Sequence, residues 1–204
     1  DESLVLDAVE SKLFGIGAES YTVGSHDFYL SYAAKSGKLI CLDSGHFHPT
    51  ESIGDKLSAI TAMQGRILLH VSRGVRWDSD HVLVLNDELL SIARETVRCL
   101  AAGAQIHIGL DYFDASINRI AAWVVGARNM QKALLCGLLE PFERIRACET
   151  DWDFSGRLAL GEEARTLPWG AVWNYYCLTR GVPPDAGFMN DIRSYEQEVT
   201  LLRG

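Results

Sequence analysis

The sequence predicts an α/β chain, and three observations predict it: short continuous apolar runs, amphipathic stretches between them, and an all-helical tail. Apolar runs of buried-strand type that alternate with helical periodicity are the trace left by parallel βαβ units, whose sheet is covered on both faces.

The elements follow in order. Leu4-Val5-Leu6 leads into Asp7-Ala8-Val9-Glu10 as the first run, and a helical stretch extends from about Ser25 to Lys35. Leu39-Ile40-Cys41-Leu42 is the second run, followed by a helix over Glu51 to Met63. Ile67-Leu68-Leu69-His70-Val71 is the third. Asn86 can then cap a helix whose apolar positions Leu89, Ile92, Ala93, Val97 and Leu100 keep helical spacing. Ile106-His107-Ile108-Gly109-Leu110 is the fourth run, with His107 read as a hydrogen-bonded core histidine. From Ser116 onward the helical period continues almost without interruption, broken at Pro141 and near Thr150 to Phe154, and ends over roughly Met189 to Leu202.

Four βα units make half of an eight-stranded barrel, an architecture of about 250 residues. The chain opens Asp1-Glu2-Ser3, with neither an initiator Met nor a basic-then-apolar leader. It therefore reads as the C-terminal half of a TIM (β/α)8 barrel followed by an α-helical C-terminal extension. Residues 1–115 would carry the half barrel and a metal site, and 116–204 the helices that complete and extend it. An open doubly wound sheet of four or five strands is the structural alternative.

Lys plus Arg total 19 against 27 Asp plus Glu, a net charge of −8 that argues against nucleic acid as a partner and suits a chain that gathers divalent cations. No run of eighteen apolar residues occurs, so no transmembrane helix is expected. The cysteines (Cys41, Cys99, Cys136, Cys148, Cys177) are odd in number and form no Cys-x-x-Cys, which points to a reduced, cytoplasmic compartment. Gly15-Ile16-Gly17-Ala18-Glu19-Ser20 lacks the third glycine of a dinucleotide loop and reads as a turn.

The ends of the four runs carry the chemistry. They finish at Glu10, Asp43, His70 and Asp111, each a metal-type ligand at the carboxyl end of its strand. That edge is where active sites sit in barrels and doubly wound sheets. Adjacent strands lie about 4.8 Å apart, so four such side chains can converge on one cation. Three carboxylates and one imidazole suit Mn²⁺, Mg²⁺ or Zn²⁺, with Mn²⁺ favoured by hard oxygens plus nitrogen. His46 follows Asp43 across Gly45, while Asp78 and Asp80 alternate so as to face one side if extended; these three could hold a second cation. Lys12 can point toward the same mouth to stabilise negative charge or move a proton, or be a solvated surface residue. Arg73 and Arg76 flank the loop before Asp78 and read first as ion-pair partners.

Four segments resemble the L-rhamnose isomerase family. They are Val9-Glu10-Ser11-Lys12-Leu13-Phe14-Gly15, Leu42-Asp43-Ser44-Gly45-His46-Phe47-His48-Pro49-Thr50-Glu51, His70-Val71-Ser72-Arg73 with Val75-Arg76-Trp77-Asp78-Ser79-Asp80-His81, and His107 through Arg119. The resemblance implies a cytoplasmic bacterial homotetramer with a (β/α)8 barrel, interconverting L-rhamnose and L-rhamnulose with two Mn²⁺ ions, for which Mg²⁺, Co²⁺ or Zn²⁺ could substitute. By residue it implies Glu10, Asp43, His70 and Asp111 as ligands of a structural metal, and His46, Asp78 and Asp80 as ligands of a catalytic one, with Glu10 between them. Lys12 matches a lysine near the substrate, and Lys12 and Asp111 stand as the candidate catalytic side chains. The family's chains are longer, so strands one to four and further sugar contacts would be absent. A different metal-dependent barrel hydrolase, or an inert or oligomerisation fragment, are the rival readings.

Overall fold

The computed structural model describes residues 4–12, 23–75, 78–112 and 114–203, with the side chains of residues 78–80 not described. The chain divides into two compact units, Asp1–Ala133 and Leu134–Gly204.

The first unit is α/β. Its sheet has four parallel strands in the order β1 (Ala8–Glu10), β2 (Leu39–Asp43), β3 (Arg66–Val71) and β6 (Gln105–Leu110). Between β3 and β6, β4 (Arg73–Val75) and β5 (Asp78–His81) form a separate antiparallel pair. The connections are helical: α1 (His26–Ser36), α2 (Gly54–Gln64) and α3 (Asp87–Ala101), with α4 (Arg119–Leu138) following β6.

Local chemistry sets each boundary. Ser25 Oγ accepts the Phe28 N–H at 3.2 Å to start α1, and Asn86 Oδ1 accepts the Leu89 N–H at 3.0 Å to start α3. Asp87 and Glu88 in the first turn of α3 complement its helix dipole. Gly65 ends α2 with φ +70°, donating to Thr61 O, and β3 begins at the next residue. A side chain there would be held in the left-handed region, which is why a one-residue turn uses glycine.

Every residue of β2 is buried, as its uninterrupted apolar run requires. Ile40, Leu42, Ile67, Leu69 and Val71 of the sheet, Leu57 of α2 and the Leu89, Ile92, Ala93 face of α3 are all buried and make up the core. Burial of each large aliphatic side chain contributes about 1.5–3 kcal/mol before chain entropy is set against it. The edges behave differently. Among the described residues β1 and β6 pair on one side only, and β6 alternates exposed and partly buried positions. His107 is exposed rather than a core histidine, because its face of β6 is not covered.

The second unit is helical: α5 (Phe142–Thr150), α6 (Phe154–Arg165), α7 (Trp169–Thr179) and α8 (Phe188–Tyr195), ending in a π turn and a short 3-10 turn to Arg203. Asp153 caps α6 through the Gly156 N–H, and Trp173 and Cys177, one turn apart on α7, are buried. Among the described residues no helix is long and apolar enough to cross a membrane.

Candidate metal centre

The strand register brings the four predicted side chains to one place. Glu10 pairs with Cys41, Asp43 pairs with His70, and His70 pairs with Gly109. Asp43 therefore lies two positions beyond Glu10's partner, and Asp111 two beyond His70's. Even offsets keep a side chain on the same face of a sheet, so Glu10, Asp43, His70 and Asp111 emerge on one face at the carboxyl edge.

There they touch. His70 Nδ1 lies 3.1 Å from Glu10 Oε1 and 3.2 Å from Asp111 Oδ2. Gly109, under the ring, has no side chain; a Cβ would come 3.2 Å from His70 Cδ2. Asp43 is buried, with Oδ1 accepting from Gly45 N at 2.7 Å and from Ser72 Oγ at 3.3 Å. Its Oδ2 has no hydrogen-bond partner among the described residues. His46, 9% exposed, joins this group: Nε2 stands 3.9 Å from Asp43 Oδ2 and Nδ1 3.7 Å from Glu10 Oε1. The His46 Nδ1 is also 3.1 Å from the Ser11 carbonyl, which accepts if that nitrogen carries the proton.

The charges are unbalanced. Burial, aided by the Glu10 and Asp111 charges and opposed by His46 and the Gly45 N–H, pushes the Asp43 carboxyl up to about 6. For Glu10 burial also pushes upward, but the hydrogen bond from His70 and the nearby imidazoles outweigh it and hold the carboxyl below its ordinary value. The Glu10 carboxylate raises His70 in return, against the effect of burial. Burial and then the Glu10 charge push the Cys41 thiol far up, and its S–H, donating to Glu10 Oε1 at 3.5 Å, adds to the rise.

Such a group can hold a divalent cation. Three trios, Glu10–Asp43–His46, Asp43–His70–Asp111 and Glu10–Cys41–His70, each offer ligand atoms within 4.8 Å of one another. Ligand atoms at about 2.2 Å from a cation stand up to about 4.4 Å apart across it, so small side-chain shifts suffice. The buried Asp43 Oδ2, with no hydrogen-bond donor among the described residues, gives the fit a specific reason: a cation would supply the close contact that it lacks.

The sequence model of L-rhamnose isomerase matches residues 1–203. The chain belongs to the L-rhamnose isomerase family. L-rhamnose isomerase of Cronobacter sakazakii is 60% identical over 198 residues, which is 97% of this chain and 47% of that protein. The enzyme of Rhodopirellula baltica is 59% identical over 198 residues, covering 97% and 46% of the two chains. That of Pectobacterium carotovorum is 57% identical over 203 residues, covering 100% and 48%. The chain spans about half the length of the curated relatives it matches.

Glu10, Asp43, His46, His70 and Asp111 meet in one cluster. Asp78 and Asp80 lie on the backbone of β5; their side chains lie outside the described residues. β4 docks beside the His46 turn: a Cβ on Gly74 would sit 3.3 Å from Gly45 Cα. Lys12 is half-buried, and its N–H donates to Gly24 O at 3.3 Å. Arg73, read as an ion-pair partner, instead donates from Nε to Val82 O at 3.1 Å, while Arg76 lies outside the described residues. Sequence reasoning gave Cys41 no place in the site and missed its contact with Glu10. The even strand spacing could have signalled it, since Cys41 and Asp43 share a face.

Proposed function

We propose that this chain forms the cation-binding portion of an aldose–ketose isomerase that interconverts L-rhamnose and L-rhamnulose. In this reading its four parallel βα units are the C-terminal half of a (β/α)8 barrel over residues 1–115, and residues 116–204 complete and extend it. The observation that carries the reading is the buried Asp43 Oδ2, without a hydrogen-bond donor among the described residues, at the centre of a carboxylate–imidazole cluster on the carboxyl edge of the sheet. The remaining barrel wall would come from a longer polypeptide or a second chain.

Glu10, Asp43, His70 and Asp111 would hold one Mn²⁺, and His46, Asp78 and Asp80 a second, with Glu10 between; Mg²⁺, Co²⁺ or Zn²⁺ are substitutes. When bound, such cations supply positive charge that holds two adjacent sugar oxygens and stabilises negative charge while hydrogen moves between C1 and C2. The chain's own groups supply orientation. With the proton on Nδ1, His46 donates to the Ser11 carbonyl, which fixes the ring and makes Nε2 the nitrogen that would act as a ligand. The Lys12 ammonium stabilises negative charge on a substrate oxygen or passes a proton, and Asp111 orients the His70 imidazole. A hydride shift needs no base at carbon, whereas an enediol route needs a carboxylate or water base. Solvent deuterium appearing at C1 of L-rhamnulose formed from L-rhamnose, or at C2 of L-rhamnose formed in the reverse direction, selects the second.

A cytoplasmic location draws support from the five cysteines, none of which is in a disulfide. Association as a homotetramer draws support from the exposed Trp152, Phe154, Tyr175 and Leu178 of the helical unit. Calorimetric titration of the purified chain with Mn²⁺ tests the proposal. Binding tighter than millimolar, lost in Asp43→Ala, is expected; its absence sinks the reading.

A further inference from the structure

Val82 and Leu83 follow β5, belong to no helix or strand, and are nonetheless buried, at 8% and 2% exposure. Three side chains from three different elements hold their backbone. The Val82 N–H donates to Asp114 Oδ2 at 3.1 Å, the Val82 carbonyl accepts from Arg73 Nε of β4 at 3.1 Å, and the Leu83 carbonyl accepts from Asn129 Nδ2 of α4 at 2.7 Å.

Asp114 is the most constrained of the three. It is buried, its φ is +41°, and its second oxygen, Oδ1, accepts from both the backbone N–H and the hydroxyl of Ser116. A non-glycine residue in the left-handed region persists only where its surroundings fix it; here both carboxylate oxygens do so. The β4–β5 pair stands apart from the main sheet, has an irregular register between Arg73 and Val75, and is only three and four residues long. A two-stranded hairpin of that kind is marginal in water without outside anchors.

We propose that Asp114 is a positioning residue that, with Arg73 and Asn129, clamps Val82–Leu83 and so fixes the backbone of β5 that carries Asp78 and Asp80. Gly74, packed against Gly45, holds β4 near the same Arg73–His81 end of the pair, so that both strands are fixed there relative to the His46 turn. The proposal rests on the reading that Asp78 and Asp80 ligate a cation.

Asp114→Ala in the full chain, titrated calorimetrically with Mn²⁺ alone, tests it. One site should keep its affinity within twofold, while the other weakens at least tenfold, the size of effect expected when a group that orients a ligand is removed. Asp114→Asn, which can keep an oxygen toward only one of its partners, should fall between. Amide exchange of the metal-free chain supplies the second measurement: residues 78–83 should exchange faster in Asp114→Ala, with β2 and β3 unchanged. If the wild type binds two ions and Asp114→Ala leaves both affinities alone, the clamp is wrong. Equal weakening of both sites with faster exchange in β2 and β3 also overturns it, as general destabilisation. A wild type that binds one Mn²⁺ and ignores Asp78→Ala with Asp80→Ala overturns the two-cation reading itself, and the clamp's purpose with it.

Discussion

Asp43→Asn separates the role of this residue in folding from its role in holding a cation. The Asp43 side chain is 1% exposed, and burial raises its carboxyl from 3.8 to about 6. A raised pKa in the folded state means that the native chain binds the proton more tightly than the unfolded one. The associated stability is fully present below about pH 4 and is lost as pH rises through about 6. The gap between 3.8 and about 6 corresponds to about 3 kcal/mol in the metal-free chain. Asn keeps the shape and retains an oxygen for the Gly45 N–H and the Ser72 hydroxyl, while its amide replaces the unpartnered Oδ2. In chelator, urea unfolding followed by circular dichroism should therefore show Asp43→Asn more stable than wild type at pH 8, by up to about 3 kcal/mol. At pH 4 the two should nearly coincide, because Asp43 is then protonated. Added Mn²⁺ should reverse the order at pH 8, stabilising wild type by about 2.7 kcal/mol at a hundred times its Kd and leaving the variant unmoved. Equal destabilisation of the variant at both pH values in chelator would refute the buried-charge argument. An undiminished Mn²⁺ response would refute the ligand assignment.

Three further substitutions probe the supports. Gly109→Ala places a Cβ 3.2 Å from His70 Cδ2; Mn²⁺ affinity by calorimetry should fall about tenfold or more with little change in the urea midpoint. Gly126→Ala drives a methyl into the buried Tyr112 side chain, whose hydroxyl would lie 1.6 Å from the new atom. A loss of about 1–3 kcal/mol in urea is expected, partly recovered by adding Tyr112→Phe, since that hydroxyl has no hydrogen-bond partner among the described residues. Asn86→Ala removes the cap of α3 and should cost about 1 kcal/mol in the same assay; no change would show that the first turn of α3 is held by packing instead.

Much of this site was legible because two periodicities carry different information. The apolar runs located β2, β3 and β6 and the end of β1, and the residues ending those runs are the ones that meet. Helix starts were readable wherever a side chain caps them, as at Ser25 and Asn86. The β4–β5 pair was not, since three- and four-residue strands with a glycine at Gly74 and charges at both ends leave no apolar alternation. His107 was misplaced for a related reason. A continuous apolar run looks the same whether both faces of its strand are covered or one is left open, and β6 has an open edge among the described residues.

The register explains why a cluster of ligands can be written as widely separated single residues. Each side chain needs only to end its strand on the correct parity; hydrogen bonding between neighbouring strands does the rest. Slipping β6 by one residue against β3 would turn Asp111 to the opposite face and leave His70 Nδ1 with Glu10 alone. Such a slip is opposed by the glycine at position 109, because any side chain facing His70 at that register would strike the imidazole ring. The same missing side chain that makes room for the ring therefore also selects the pairing. A cation site built this way is sensitive to substitutions beneath the ligands as well as at the ligands themselves.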